Sequence, residues 1–336
     1  MARHVLDVAR QGIPDTRLVV LCPDGPLAQE LKEKGVPVLV EDFGPKAGIS
    51  ASIRSLRHAV ATLRPAVLHT HLAYADIVAA LAVPASWPVR LVSTEHGIAA
   101  PGRDAVYHGT AVQSRLMSAV HTARCGRFDA LIAVSEAAAE AMKTAWHPRR
   151  RVQVIPNGVD LSSTPPQRAP GLRLLSLARL APEKQIGELL KAFSLLHRDQ
   201  PEATLTVAGT GPLDKELRRT AEVLGVQSSV SFPGLLNADE ALASHDVLID
   251  LSAQESCSYA VLDAVQAGLG VVAAPLGSAC EVLPASCLSE ATDLTGLAQT
   301  LLAQGADLSA RPAPSTLPSV RTTVAHIRLV YRGCFA

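Results

Sequence analysis

Short, nearly continuous apolar runs separated by amphipathic segments constrain this chain more than any other feature. In the first half they fall at residues 17–23, 36–41, 66–71, 90–94, 130–135 and 152–156; in the second half they fall at 172–178, 204–208, 230–233, 247–251 and 270–274. A strand with one wet face alternates polar and apolar residues. These runs do not alternate, so both faces are expected to be covered, as in a parallel sheet layered with helices. Strand–helix–strand alternation continues on both sides of a breaker-rich segment at 161–171. This predicts an α/β chain of two doubly wound, Rossmann-like domains. A second breaker-rich stretch at 310–318 precedes a last helix over about 320–332.

Two such domains need a large core, and the composition supplies it: 48% of the 336 residues are hydrophobic and 18% charged. Lys plus Arg equals Asp plus Glu, 31 against 31, which removes the electrostatic argument for a nucleic-acid partner. A local patch for peripheral membrane contact stays open. The cysteines at 22, 125, 257, 280, 287 and 334 form no Cys-x-x-Cys pair and no Cys/His zinc spacing. Reduced thiols and no metal are therefore expected, in a cytoplasmic chain without a secretory signal. The longest apolar stretch, 77–83, ends at Pro84 and is too short to span a bilayer.

The chain opens directly on an amphipathic helical segment, residues 1–10, where a doubly wound domain normally opens with a strand and a glycine-rich turn. That first strand usually lies at the centre of its sheet. Without it, an unpaired strand edge and a gap in the core are expected. A start placed downstream of the natural one and a truncated, inactive protein both account for it.

Three segments of the second half carry chemistry. Residues 176–185 follow an apolar run and lead into a helix, placing Arg179 and Lys184 at the C-terminal end of a strand, the edge where open α/β sheets bind ligands. Two cations beside a helix N-terminus suit a diphosphate; a capping loop with solvated charges uses the same residues. Residues 206–213 end a strand in Gly209-Thr-Gly211, which suits close backbone approach to a ligand or simply a tight turn. Residues 251–268 carry Glu255 on a loop before a helix that starts near Ser258. The amides of Ser258 and Tyr259 would face an anion, while Glu255 and Asp263 could accept from sugar and ribose hydroxyls. Glu255 as a helix-dipole partner and Asp263 as a surface charge are the plainer readings.

In order and spacing, Arg179-x4-Lys184, Gly209-x-Gly211, Phe232-Pro-Gly234 and Glu255-x7-Asp263 resemble the C-terminal domain of retaining family-4 glycosyltransferases of the GT-B fold. Residues 154–160, Val-Ile-Pro-Asn-Gly-Val-Asp, resemble that family's interdomain signature, and 133–136 and 68–71 its N-terminal signatures. The resemblance implies two Rossmann-like domains facing a cleft. An acceptor-side domain would span 1–161, lacking its first strand and glycine-rich loop; a nucleotide-sugar-binding domain would span 170–318; and a last helix, 319–336, would pack back on the first. It implies a metal-independent hexosyltransferase with no cofactor beyond the nucleotide-sugar co-substrate. The transfer would go to a hydroxyl of a glycan, glycolipid or small molecule, as in polysaccharide biosynthesis, in the cytoplasm or at the inner face of the membrane.

The resemblance also implies roles. Arg179 and Lys184 would hold the donor diphosphate, Glu255 would orient the donor sugar, Asp263 would meet the ribose, and the base would lie against backbone near Phe232, Gly234 and Leu235. His96, in Thr94-Glu-His-Gly97, matches the family's active-site histidine; a strand-end histidine bonded to backbone is the plainer alternative. His69 and His71 end another strand, with packing or capping as sufficient explanations. A lipid acceptor could use the basic and apolar residues of 115–127, though a cleft-lining helix explains them equally. The chain departs from the family at Asp263, where glutamate is usual, at Cys257-Ser258 in place of Phe-Gly, and at Gln185 in place of glycine. A sugar-nucleotide epimerase of the same architecture and a catalytically degenerate binding protein remain the rival readings.

Overall fold

The computed structural model describes residues 1–97, 111–160, 168–253 and 257–335, and of 111–116 the backbone alone. The chain forms two units, Met1–Gly158 with Pro318–Ala336, and Val159–Leu317.

The first unit runs α1 (Ala2–Gln11), β1 (Val20–Cys22), α2 (Pro26–Glu33), β2 (Val38–Val40), α3 (Ile49–Leu63), β3 (Val67–His71), α4 (Ala73–Ala82), β4 (Arg90–Glu95), α5 (Ala111–Cys125), β5 (Ala130–Ala133), α6 (Glu136–Trp146) and β6 (Val152–Val154). Strands β3, β4, β5 and β6 pair in parallel and in sequence order, while β1 and β2 form a separate parallel pair. Among the described residues no backbone ladder joins β1 to β3. The two sheets still share a core, because Leu21 of β1 packs on the cluster containing Leu56, Val78, Leu131 and Met142. The Tyr74 hydroxyl of α4 donates to the Gly44 carbonyl at 3.0 Å, tying the loop after β2 to the larger sheet's helical layer.

The second unit runs β7 (Arg173–Leu177), α7 (Ile186–Asp199), β8 (Thr204–Ala208), α8 (Asp214–Val223), β9 (Val230–Gly234), α9 (Ala238–Ser244), β10 (Val247–Asp250), α10 (Tyr259–Gln266), β11 (Gly270–Ala273), α11 (Ala279–Val282) and α12 (Leu294–Ala306). Its parallel sheet has the order β11-β10-β7-β8-β9. Successive strand residues feed opposite cores. Leu174, Ile249 and Val272 join a cluster with Phe193 of α7 and Leu301 of α12. Leu175, Leu248 and Val271 join another with Val261 and Val265 of α10. That two-sided burial is why the strands read as unbroken apolar runs. Side-chain caps open several helices: Asn237 accepts from the amides of Asp239 and Glu240, and Asp293 from that of Gly296. Each such cap contributes about 1 kcal/mol.

The chain ends with α13 (Val320–Gly333), in the first unit. Val320, Val324, Ile327 and Val330, spaced for one helix face, pack on Ile13, Val92, Ile132 and Ile155. A Cβ on Gly158 would stand 2.4 Å from the Ser319 carbonyl carbon, so only glycine lets these two backbone segments touch.

Candidate functional site

Strand order in the second unit reverses between β7 and β10, and ligands of open α/β sheets bind at such a switch point, beyond the strand C-termini. The loop leaving β7 is seated by backbone. Leu180 N–H donates to the Thr210 carbonyl at 3.0 Å, and Leu213 N–H to the Leu180 carbonyl at 3.0 Å. Gly209, at φ 146°, and Gly211 make this possible: a Cβ at either would stand 1.8 Å from the Ala178 carbonyl oxygen or 2.3 Å from that of Leu180. The Gly-x-Gly pair therefore shapes the very loop that carries Arg179 and Lys184.

That loop ends in a short turn, Pro182–Lys184, whose Glu183 carbonyl accepts from Ala253 N–H at 2.7 Å. Lys184 Nζ donates to Ser252 Oγ at 2.8 Å, and Ser252 in turn donates to Asp250 Oδ1. Ser252, Asp250, Ser258 and Ser278 line one recess at the ends of β10 and β11. Ser258 is the N-cap of α10, its hydroxyl accepting from Val261 N–H, and Tyr259 is the first residue of that helix. The structure thus brings Lys184, Ser252 and Ser258 together across the switch point. Arg179, 69% exposed, is instead turned along its own loop onto Glu183. Asp263 is half-buried on α10, and Glu255 lies outside the described residues.

At the far edge, the Gly234 carbonyl accepts from Gly209 N–H at 2.8 Å. Arg218 covers the Phe232 ring at 4.9 Å and donates to the Phe232 carbonyl at 2.9 Å, while Leu235 is 80% exposed. Gln185 adopts a left-handed backbone, φ 52°. That conformation strains any side chain with a Cβ and gives a physical meaning to the glycine expected there.

In the first unit, His71 ends β3 and His96 follows β4, with His71 Nδ1 3.0 Å from His96 Nε2. His4, from the first turn of α1, places its ring 5.4 Å from that of His71 and 5.0 Å from that of His96. His4 is 2% exposed, and its Nδ1 lies 2.8 Å from Asn157 Oδ1. Its Nε2 and the Nδ1 of His96 are buried without a hydrogen-bond partner among the described residues. His69 is spoken for: Tyr331 Oη sits 2.8 Å from one ring nitrogen and Thr94 Oγ1 2.7 Å from the other, while its ring stacks on His71. Burial keeps all four imidazoles neutral. It brings His4 down to about 4 against the pull of the Asn157 hydrogen bond, and His69 to about 3. Burial and neighbouring histidines take His96 to about 2 and His71 well below the usual value.

Beneath these histidines lies a buried charge cluster. Arg124 pairs with Asp76 and, at 3.2 Å, with Glu95; its Nε donates to His121 Nδ1 at 2.8 Å, and the Trp146 ring lies 4.4 Å away. Asp76 also accepts from Thr70 at 2.5 Å and Ser93 at 2.7 Å. Burial lowers Arg124 to about 10, leaving it charged, and raises Glu95 to about 7. Of the basic residues at 115–127 considered for a lipid acceptor, Arg124 and His121 turn into the core, where paired carboxylates compensate the cation, and Arg127 bonds the Val83 carbonyl. The side chain of Arg115 lies outside the described residues. His4 and Asp76 were not singled out from sequence. Their signal was faint: polar residues on the buried faces of α1 and α4.

The sequence model of Glycosyltransferase Family 4 matches residues 1–163, and that of Glycosyl transferases group 1 matches residues 171–306. The chain belongs to the family-4 glycosyltransferases of the GT-B fold. The structure of Anabaena Alr3699/HepE in complex with UDP and glucose superposes with a TM-score of 0.78 at 20% identity, over 99% of this chain and 95% of that one. Glycogen synthase of Mycobacterium tuberculosis is 30% identical over 223 residues, 64% of this chain and 53% of that protein. Alpha-monoglucosyldiacylglycerol synthase of Streptococcus pneumoniae is 33% identical over 103 residues, 30% of this chain and 23% of that protein. The glycosyltransferase chain thus spans about a quarter to about half the length of these curated relatives. Among its described residues no helix is long and apolar enough to cross a membrane.

Proposed function

We propose that this family-4 chain transfers a sugar from a nucleotide-sugar donor to an acceptor hydroxyl, with retention of configuration and without a metal in the transfer step. The observation that carries the reading is the Lys184–Ser252 hydrogen bond across the switch point, beside the capped N-terminus of α10. An ammonium and a helix terminus at one sheet edge supply positive potential for a diphosphate. Arg179 adds a second cation by exchanging its exposed Glu183 partner for phosphate, an exposed pair being worth little. Stabilising charge on the departing diphosphate is the main catalytic effect assigned to this chain. In the same reading Glu255 orients the sugar, Asp263 accepts from the ribose, the base lies along Phe232–Leu235, and His96 serves the acceptor. Gly209 and Gly211 hold the Arg179 loop in place for all of this. Donors of the uridine class are favoured by the UDP bound to the Anabaena relative. The acceptor is a glycan, a lipid-linked sugar or a small molecule.

The test is donor turnover with a panel of acceptors, product anomers being assigned by NMR. Lys184→Ala and Glu255→Ala are each expected to lower turnover on the order of 100-fold. Undiminished transfer in both would sink the site assignment, and an inverted anomer would sink retention. Interconversion of the donor without acceptor would favour an epimerase. The unlinked β1–β2 and β3–β6 sheets favour a second reading, nucleotide binding without turnover. Calorimetric UDP binding with no transfer to any acceptor would select it.

A further inference from the structure

A buried nitrogen in the first unit, His4 Nε2, has no partner among the described residues. An imidazole nitrogen held away from water without a partner is unfavourable, and such atoms are exceptions to be explained. One nitrogen each from His4, His71 and His96 lies within 4.8 Å of the others. We infer that these three histidines are a binding site for a divalent cation of the zinc, cobalt or nickel class.

The chemistry fits at several levels. Imidazole is a ligand for these borderline ions, whereas calcium and magnesium take oxygen. The Asn157 oxygen, 2.8 Å from His4 Nδ1, fixes the proton there and leaves Nε2 presenting its lone pair. A carbonyl oxygen holding the far N–H of a ligating histidine is the usual outer support of such a site. Bonds of about 2.0–2.1 Å to a tetrahedral ion require the nitrogens to close to roughly 3.3 Å. His71 Nδ1 and His96 Nε2, 3.0 Å apart, share one proton that a metal bound through these atoms would displace, and the rest of the closure is from no more than 4.8 Å. His69 is excluded as a ligand because both its nitrogens are engaged by Tyr331 and Thr94. Three protein ligands leave a fourth position for water. Sequence spacing cannot announce this site, since its ligands come from α1, β3 and the end of β4.

The test uses the full chain freed of metal and titrated with Zn2+ by calorimetry and with Co2+ by visible absorption. Saturable binding of one equivalent is expected. His4→Gln and His71→Gln should each weaken it at least about tenfold, and Asn157→Ala by about 10–100-fold. His69→Gln should leave the affinity within about twofold of wild type, since it supplies no ligand. Circular dichroism identifies folded variants. Should His4→Gln not fold, His71→Gln carries the comparison, and X-ray absorption of the wild-type zinc form must show imidazole without sulfur. No stoichiometric binding of either ion overturns the site. So does binding indifferent to both His4→Gln and His71→Gln, or a first shell containing cysteine sulfur. None of these readouts needs a sugar donor, so their outcome is separate from that of the transfer reading.

Discussion

In the second unit β7 lies between β8 and β10, and backbone ladders run unbroken across the point where strand order reverses. In the first unit, among the described residues, β1 pairs only with β2 and β3 only with β4, so no described ladder crosses the corresponding point. Side chains link the two sheets there, Leu21 on the shared core and Tyr74 on the Gly44 carbonyl, and the ends of β3 and β4 carry a side-chain network of their own: His4 on Asn157, His71 on His96, and Arg124 between Asp76 and Glu95. The difference has a consequence for robustness. Backbone hydrogen bonds survive most substitutions, whereas a network of side chains is lost with one member.

The strongest way to break the comparison is Arg124→Ala. The substitution strands the Asp76 carboxylate, 0% exposed, beside Glu95, 3% exposed, and removing one partner of a buried ion pair costs about 4 kcal/mol. The loss should stay in the first unit. Hydrogen exchange should accelerate in β3–β6 while β7–β11 keep their protection. Equal loosening of both units would mean the cluster is not the local anchor claimed for it.

The second unit has a buried ionic group too, an anion held by the backbone N–H and the half-exposed guanidinium of one residue. Asp246, 3% exposed, accepts from Arg173 N–H and Nε at 2.9 Å and from Nη2 at 2.7 Å. Burial would raise its carboxyl, but these Arg173 hydrogen bonds prevail and hold it below the ordinary 3.8. A carboxyl depressed in the folded state adds stability above its unfolded value and loses it as pH falls through the folded one. Asp246→Asn should therefore cost about 2 kcal/mol at neutral pH, and the gap to wild type should narrow in acid, as pH falls below the ordinary 3.8. Urea midpoints at the two pH values measure this. A gap that widens in acid would reverse the assignment.

Much of the second unit was legible in the sequence because its strands are buried on both faces and its loops are punctuated by glycine. Leu174 and Leu175 go to opposite cores, which is what an unbroken apolar run means. The Gly209–Gly211 spacing marked a close approach, although its neighbour is the Ala178–Leu180 backbone, which no spacing rule identifies. In the first unit the strands were legible but the network under them was not. Arg124 reads as a surface cation until Asp76 and Glu95, from other elements, are brought against it. His4 looks like one more polar residue on an amphipathic helix until β3 and β4 set His71 and His96 beside it.

The smallest prediction sharpens the contrast from within the second unit, where the backbone is well supported but Gln185 is locally strained. Gln185 holds φ 52° and ψ 33° between the turn bearing Lys184 and the start of α7, and its side chain makes no cap. A left-handed residue with a Cβ is disfavoured by about 1–2 kcal/mol, and glycine recovers part of that at the expense of a more flexible unfolded chain. Gln185→Gly should therefore stabilise the protein by about 0.5–1 kcal/mol, seen as a higher thermal midpoint with an unchanged denaturant slope. Because the Glu183 carbonyl is already bound by Ala253 N–H, the turn keeps its place. A lower midpoint would mean that the Gln185 side chain contributes more to this corner than its backbone strain removes.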